Sequence, residues 1–135
     1  MEFKAVLTTC PYCGCGCGML LQVLDGKLVA VLPSKTAPVN QGKLCVKGWT
    51  VHEFVTSPKR LTTPLVRKDG TLRESSWDEA LDMAAMRLRE IKKEEGPDSI
   101  AIFASAKCTN EENYLLQKFC RVAIGTNNID HCARL

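Results

Sequence analysis

Cys10-Pro11-Tyr12-Cys13-Gly14-Cys15-Gly16-Cys17-Gly18 packs four thiols into eight consecutive positions, spaced mostly by glycine. A fifth thiol follows in Leu44-Cys45-Val46-Lys47-Gly48. Thiols this crowded either crosslink or hold metal. Glycine lacks Cβ and takes positive φ at little cost, so such a loop can double back and turn several sulfurs toward one point. The flanking sequence has to hold that loop still, and the rest of the chain is read from this requirement.

Residues 4–9 read as a short strand leading into the loop. Met19–Leu24 and Lys27–Leu32 are β-prone runs joined by Asp25-Gly26, a pair suited to the tight hairpin turn with positive φ. Residues 33–41, rich in Ser, Pro, Thr and Asn, form a loop that brings Cys45 back toward the first cysteines. Gly48 to Val55 reads as a short helix stopped before Ser57-Pro58. A second hairpin joins Leu65–Arg67 to Thr71–Arg73 across Lys68-Asp69-Gly70. Residues 1–75 are thus expected to form a β-rich, metal-centred domain on a small antiparallel sheet.

At Ser76 the pattern changes. Ser76-Trp77-Asp78-Glu79 is a capping box with acidic residues at the positive end of the helix dipole. Trp77, Leu81, Ala84, Leu88 and Ile91 then recur at helical spacing and predict a buried face. Gly96-Pro97 ends that helix. Ser99–Ser105 is a nearly continuous apolar run, the pattern of a strand buried on both faces. Thr109-Asn110-Glu111-Glu112 is a second capping box. It opens a helix expected to bury Leu115, Phe119 and Val122 and to close at Gly125. A second strand starts at Ile129. Helix, strand, helix, strand is the incomplete start of an α/β layer with a parallel sheet, spanning residues 76–135. The fold class is therefore α+β grading into α/β.

The bulk numbers exclude several classes. A chain of 135 residues suits one ordinary domain rather than two sizeable ones. It is 45% hydrophobic and 24% charged, as globular proteins are. No apolar run approaches the roughly 18 residues of a membrane span. Met1-Glu2-Phe3-Lys4 starts no signal core, which favours the cytoplasm, where thiols stay reduced. The net charge of +3 is mild, and its basic residues lack aromatic interleaving, so nucleic-acid binding is not expected.

The ligand set favoured by spacing is Cys10, Cys13, Cys17 and Cys45, a C-x2-C-x3-C run and a fourth cysteine after a gap of 27 residues. Three close cysteines and one remote one suit a [4Fe–4S] cluster. Zinc sites are more often built from two close pairs, or one pair plus histidines, and here His52 is the distal alternative. Disulfides or free thiols are the remaining reading. Cys15 either replaces Cys13 or Cys17 as a ligand or is a free thiol beside the cluster. Cys108, Cys120 and Cys132 are expected to be small core residues, and His52 and His131 to be surface or packing residues. Lys47, two residues past Cys45, would set a positive charge beside an anionic cluster; the plainer alternative is a solvated lysine.

Taken together, several runs resemble one family. They are Cys10-Pro-Tyr-Cys13-x3-Cys17, Gln41-Gly-Lys-Leu-Cys45-Val-Lys47-Gly48, Ser76-Trp-Asp-Glu-Ala-Leu81, Asn110-Glu-Glu-Asn-Tyr114 through Gln117-Lys-Phe119, and Thr126-Asn-Asn-Ile-Asp-His-Cys-Ala-Arg134. In order and over nearly the whole chain, they resemble the catalytic subunit of molybdopterin-dependent formate dehydrogenases. The cysteine run alone is shared with relatives such as nitrate reductases. The resemblance implies that Cys10, Cys13, Cys17 and Cys45 ligate a [4Fe–4S] cluster. It implies that Lys47 lies between that cluster and a bis-molybdopterin guanine dinucleotide carrying molybdenum or tungsten. Formate would be oxidised to CO2, its hydrogen and two electrons passing to the metal site, and electrons would leave singly by way of Lys47 and the cluster. Implied partners are the remainder of the catalytic subunit and electron-transfer subunits or ferredoxin.

In that family the residue after the Cys-Ala-Arg-Leu run is a cysteine or selenocysteine metal ligand. The sequence reaches Leu135, one position short of it. The expectation is a selenocysteine UGA codon read as a stop, a fragment, or a split subunit, with the 135 residues alone inactive on formate. Two other functions are weighed against this. A stand-alone iron–sulfur electron carrier would not need the capped helices of residues 76–135. A zinc-bound interaction module would carry zinc in place of iron and sulfide.

Overall fold

The computed structural model describes residues 1–132; the run Ala133-Arg134-Leu135, on which part of the family resemblance rests, lies outside the described residues. The chain divides into two compact units.

The first unit holds Met1–Arg60, Ala104–Tyr114, His131 and Cys132. Its frame is a three-stranded antiparallel sheet of β1 (Phe3–Thr9), β2 (Gly18–Leu24) and β3 (Lys27–Pro33), with β2 in the centre. Asp25 and Gly26 connect β2 to β3 with φ of 46° and 77°. Both turn residues are left-handed, the geometry that matches the twist of paired strands. The register of β1 on β2 pairs Thr9 with Gly18, so the cysteine loop is the connection between these strands. Two short helices, α1 (Val46–Trp49) and α2 (Val51–Thr56), pack on β3. The sequence pattern indicated a single helix from Gly48 to Val55; the helical segment starts earlier and is divided at Thr50. Cys10, Met19, Val31 and Val51 form the core, with Tyr12, Cys17, Leu21 and Leu44 packed against it. Two cysteines of the loop are thereby rooted in the hydrophobic interior.

The second unit holds Leu61–Phe103 and Leu115–Asp130. β4 (Leu65–Lys68) and β5 (Thr71–Glu74) form an antiparallel hairpin across Asp69 and Gly70, again both at positive φ. α3 (Trp77–Glu95) follows, and Ser76 caps it by accepting the Glu79 N–H. The capping box there is only half made, because the Glu79 carboxylate bonds Lys68 and the Ser75 hydroxyl. α3 ends on Gly96 at φ 85°, which leads into a single 3-10 turn from Pro97 to Ser99. β6 (Ile102–Ala104) pairs with β7 (Ile129–His131) in a two-stranded sheet, and α4 (Asn110–Lys118) lies between them in the chain.

Burial departs from the sequence pattern in this unit. No residue of α3 is buried: of the expected face, Leu88 and Ile91 are half-covered, while Trp77 and Leu81 are 65% and 59% exposed. Periodicity fixes which residues share a face; what covers that face is set by neighbours. β6 is shorter than the apolar run, and Phe103 on it is exposed. Leu115, Phe119 and Val122 are exposed as well, and Cys120 and Ile124 are buried instead. The covered face is a neighbouring one: Asn113 and Leu116 are half-covered, and Cys120 and Ile124 continue that line at helical spacing. Past Lys118 the helix widens into a π-helical stretch, Phe119–Ile124, with Gly125 N–H bonded to Cys120 O. That bond spans five residues, the wider turn of a π-helix.

Candidate metal centre

Cys10, Cys13, Cys17, Cys45 and Lys47 line one cavity in the first unit, together with Tyr12, Leu44, Gly48, Ala106 and Lys107. Cys10 is buried at the end of β1, Cys13 and Cys17 are half-buried, and Cys45 is exposed. Cys13 sits at φ 45°, a left-handed conformation that turns the loop back on itself, and Cys10 N–H closes the loop on Cys17 O at 2.8 Å. Cys15 is exposed and does not line the cavity; its sulfur lies 3.6 Å from that of Cys17.

The two halves of the set are tied by Asn40, a buried amide. It accepts from Gly18 N–H at 2.9 Å and donates to Gly18 O at 3.0 Å and to Lys43 O at 2.7 Å. Gly18 follows Cys17 and Lys43 precedes Cys45 by two residues, so this one side chain links the segments that carry Cys17 and Cys45. The approach of Ser34–Lys43 to β2 also requires glycine at 18, where a Cβ would stand 2.5 Å from Ala37 Cβ.

A second wall comes from distant sequence. Cys13 N–H donates to Lys107 O at 2.8 Å, which lays Ala106 and Lys107 along the cavity. Asn113 holds that segment through bonds to Ser105 O at 3.1 Å and Thr109 O at 3.0 Å. The capping box at Thr109 is complete: Glu112 N–H donates to Thr109 Oγ1 at 3.2 Å and Thr109 N–H to Glu112 Oε2 at 2.7 Å. Sequence reasoning missed Asn40, Ala106 and Lys107. The available signal was position: Ser105–Cys108 is a short loop from a strand into a capped helix, where sites are often built.

The thiols are not electrically alike. Backbone N–H groups of Gly48 and Lys47, with the Lys47 charge, hold the Cys45 thiol below the usual range against the opposing effect of burial. Burial pushes Cys10 up, and burial with the Cys15 contact pushes Cys17 up to about 11. Among the other cysteines, Cys120 is a core residue and Cys108 is half-buried. Cys132, expected in the core, is exposed and held by Ser105 Oγ at 3.3 Å and the Ala106 N–H at 3.4 Å.

The donor chemistry fits an iron–sulfur cluster. Four thiols line one cavity, and a [4Fe–4S] cluster takes four thiolates, one at each iron.

Residues 3–57 match the family model of the molybdopterin oxidoreductase Fe4S4 domain, and residues 60–135 match the molybdopterin oxidoreductase model. The chain belongs to the molybdopterin oxidoreductase family and begins with its four-iron, four-sulfur domain. It is 53% identical over all 135 residues to the F420-dependent formate dehydrogenase subunit alpha of Methanocaldococcus jannaschii. It is 54% identical over 135 residues to F420-dependent formate dehydrogenase 1 subunit alpha of Methanococcus maripaludis. A Bacillus subtilis oxidoreductase, YjgC, is 46% identical over 133 residues, or 98% of this chain and 14% of YjgC. The chain spans 19% of the length of the two archaeal relatives. No described helix is long and apolar enough to cross a membrane.

Proposed function

We propose that this chain is the cluster-bearing N-terminal part of the catalytic subunit of a formate dehydrogenase, interconverting formate with CO2 and two electrons. The observation that carries the reading is identity of 53–54% across every residue of the chain to alpha subunits of that activity. The cavity shared by four thiols and a lysine supports it.

In this reading Cys10, Cys13, Cys17 and Cys45 are the cluster ligands. The cluster supplies one-electron storage, and a bis-molybdopterin guanine dinucleotide with molybdenum or tungsten supplies the two-electron chemistry. Lys47 acts electrostatically, offsetting the negative charge that a reduced thiolate cluster carries. The core seats Cys10 and Cys17, and Leu44, Ala106 and Lys107 complete the lining of the cavity. Residues 1–75 form the cluster domain, and residues 76–135 form a segment of the molybdopterin domain with a parallel α/β layer. The enzyme works in the cytoplasm. Its partner is an electron-transfer subunit, and the names of the relatives make an F420-linked one the first to test.

The test is formate-dependent dye reduction by the anaerobically purified enzyme that contains this chain, with iron and sulfide measured in parallel. Turnover with about four irons is expected, lost with the cluster in Cys45→Ser and lost with the cluster retained in Lys47→Met. Formate that gives no reduction in a fully loaded enzyme sinks the reading, as does zinc in place of iron.

A further inference from the structure

The Cys15 sulfur stands 3.6 Å from that of Cys17 and accepts the Cys17 S–H. The two occupy different surroundings. Cys17 packs on the Met19 and Val31 core and lines the thiol cavity, while Cys15 is exposed and outside it. Cys15 is nonetheless fixed on both sides. Gly16, at φ 71°, turns the chain between the two cysteines. Gly14 is pressed by Asn110, whose Oδ1 would lie 2.2 Å from a Cβ there and whose Nδ2 donates to Gly14 O at 3.4 Å. The thiol is therefore presented to Cys17 by a braced backbone.

We propose that Cys15 is a positioning residue of the cluster site: it donates its S–H to the ligand sulfur of Cys17 and so raises the reduction potential, without binding iron itself. The inference rests on the ligand set proposed above. Once Cys17 is bound as a thiolate it has no proton to give, so the same contact is kept with its direction reversed and Cys15 as the donor. A donor at a ligand sulfur stabilises the reduced state, which carries more negative charge. This gives the fifth thiol a role distinct from ligation, and it accounts for its standing outside the cavity but against one of its walls.

The experiment compares wild type with Cys15→Ala, Cys15→Val and Cys15→Ser in anaerobically purified protein. Iron, sulfide and the midpoint potential of the reduced-cluster EPR signal are read in each. All three are expected to keep wild-type iron and sulfide. Ala and Val, which have no donor, shift the potential down, and Ser, whose hydroxyl donates, recovers part of the shift. An unchanged potential in fully loaded Ala or Val protein overturns the role of Cys15 and leaves the ligand set standing. Loss of the cluster in Cys15→Ser, with retention in Cys17→Ser, makes Cys15 the ligand and overturns both.

Discussion

Asn40 and Gly18 are joined twice: the Asn40 amide oxygen accepts the Gly18 N–H at 2.9 Å, and its nitrogen donates to the Gly18 carbonyl at 3.0 Å. A side chain reading both backbone groups of one residue acts as an added strand position. A third bond, to Lys43 O at 2.7 Å, extends the clamp to the segment carrying Cys45. Asn40→Ala removes these three bonds, though Gly18 O keeps the Ser34 N–H at 3.0 Å, at about 1 kcal/mol for each bond lost. Asn40→Asp keeps an acceptor but turns a carboxylate on two carbonyls. Both variants are expected to lower the midpoint of thermal unfolding and the iron bound per chain, with Asp no better than Ala. Wild-type iron content in both would show that the clamp does not align the ligand segments.

Two glycines separate steric from conformational effects. Gly18 has ordinary φ, but an added Cβ would stand 2.5 Å from Ala37 Cβ, a short side chain with no freedom to swing away. Gly26 has φ 77° and open space around it. Gly26→Ala is expected to cost about 1–2 kcal/mol, the left-handed penalty for an L residue. Gly18→Ala is expected to cost more and to reduce iron incorporation, because Ala37 and the Asn40 clamp must move. Denaturant unfolding with iron analysis ranks them, and equal losses would contradict the steric account.

Glu79 gives the second unit a dependence on acid. Lys68 first, then the Ser75 hydroxyl, hold its carboxyl below the usual carboxylate value. A folded value below the unfolded one contributes stability that is present above the unfolded pKa and lost as pH falls through the folded value. The unfolding midpoint is therefore expected to fall below about pH 4.5, less steeply in Glu79→Gln and less steeply in high salt, since exposed charges are screened. A Gln variant with the wild-type acid slope would remove Glu79 from the account.

Removal of the cluster should expose the inequality of the thiols. In the metal-free chain Cys45 is exposed and held below the ordinary thiol range, whereas Cys17 is pushed up to about 11 and Cys10 is also raised. The thiolate is the reacting species. Brief alkylation at about pH 8 is thus expected to modify Cys45 before Cys17 and Cys10, and raising the pH should narrow the gap. Peptide mass spectrometry reads the order, and early modification of Cys17 would contradict it.

Local chemistry was legible without any structure. Asp25-Gly26 and Asp69-Gly70 need left-handed backbone and nothing distant, so both hairpins could be read directly. Thr109 and Glu112 form their reciprocal cap within one turn, and Gly96 and Gly125 end their helical segments because each takes positive φ. Cys10, Cys13 and Cys17 lie in one short segment that limits where their side chains can go, whereas Cys45 and Lys47, beyond a gap of 27 residues, were named from the cysteine pattern and the resemblance.

Tertiary structure decided what covers what. The apolar stripe of α3 is visible as a period, but the exposure of Trp77 and Leu81 depends on the neighbours of that face. Cys120 takes the interior in place of Phe119 because the covered line of this helical segment runs through Asn113, Leu116, Cys120 and Ile124, a face that the apolar period permits but does not select. Asn40 and Lys107 reach the cysteine loop across separations of 22 residues from Gly18 and 94 from Cys13, taking 40 − 18 and 107 − 13. Cys15 and Cys17 are chemically the same in sequence, and the hydrophobic core beneath only one of them sets which sulfur faces the cavity. Turns and caps depend on torsions that each residue carries with it, whereas burial depends on surfaces that meet only when the chain has closed.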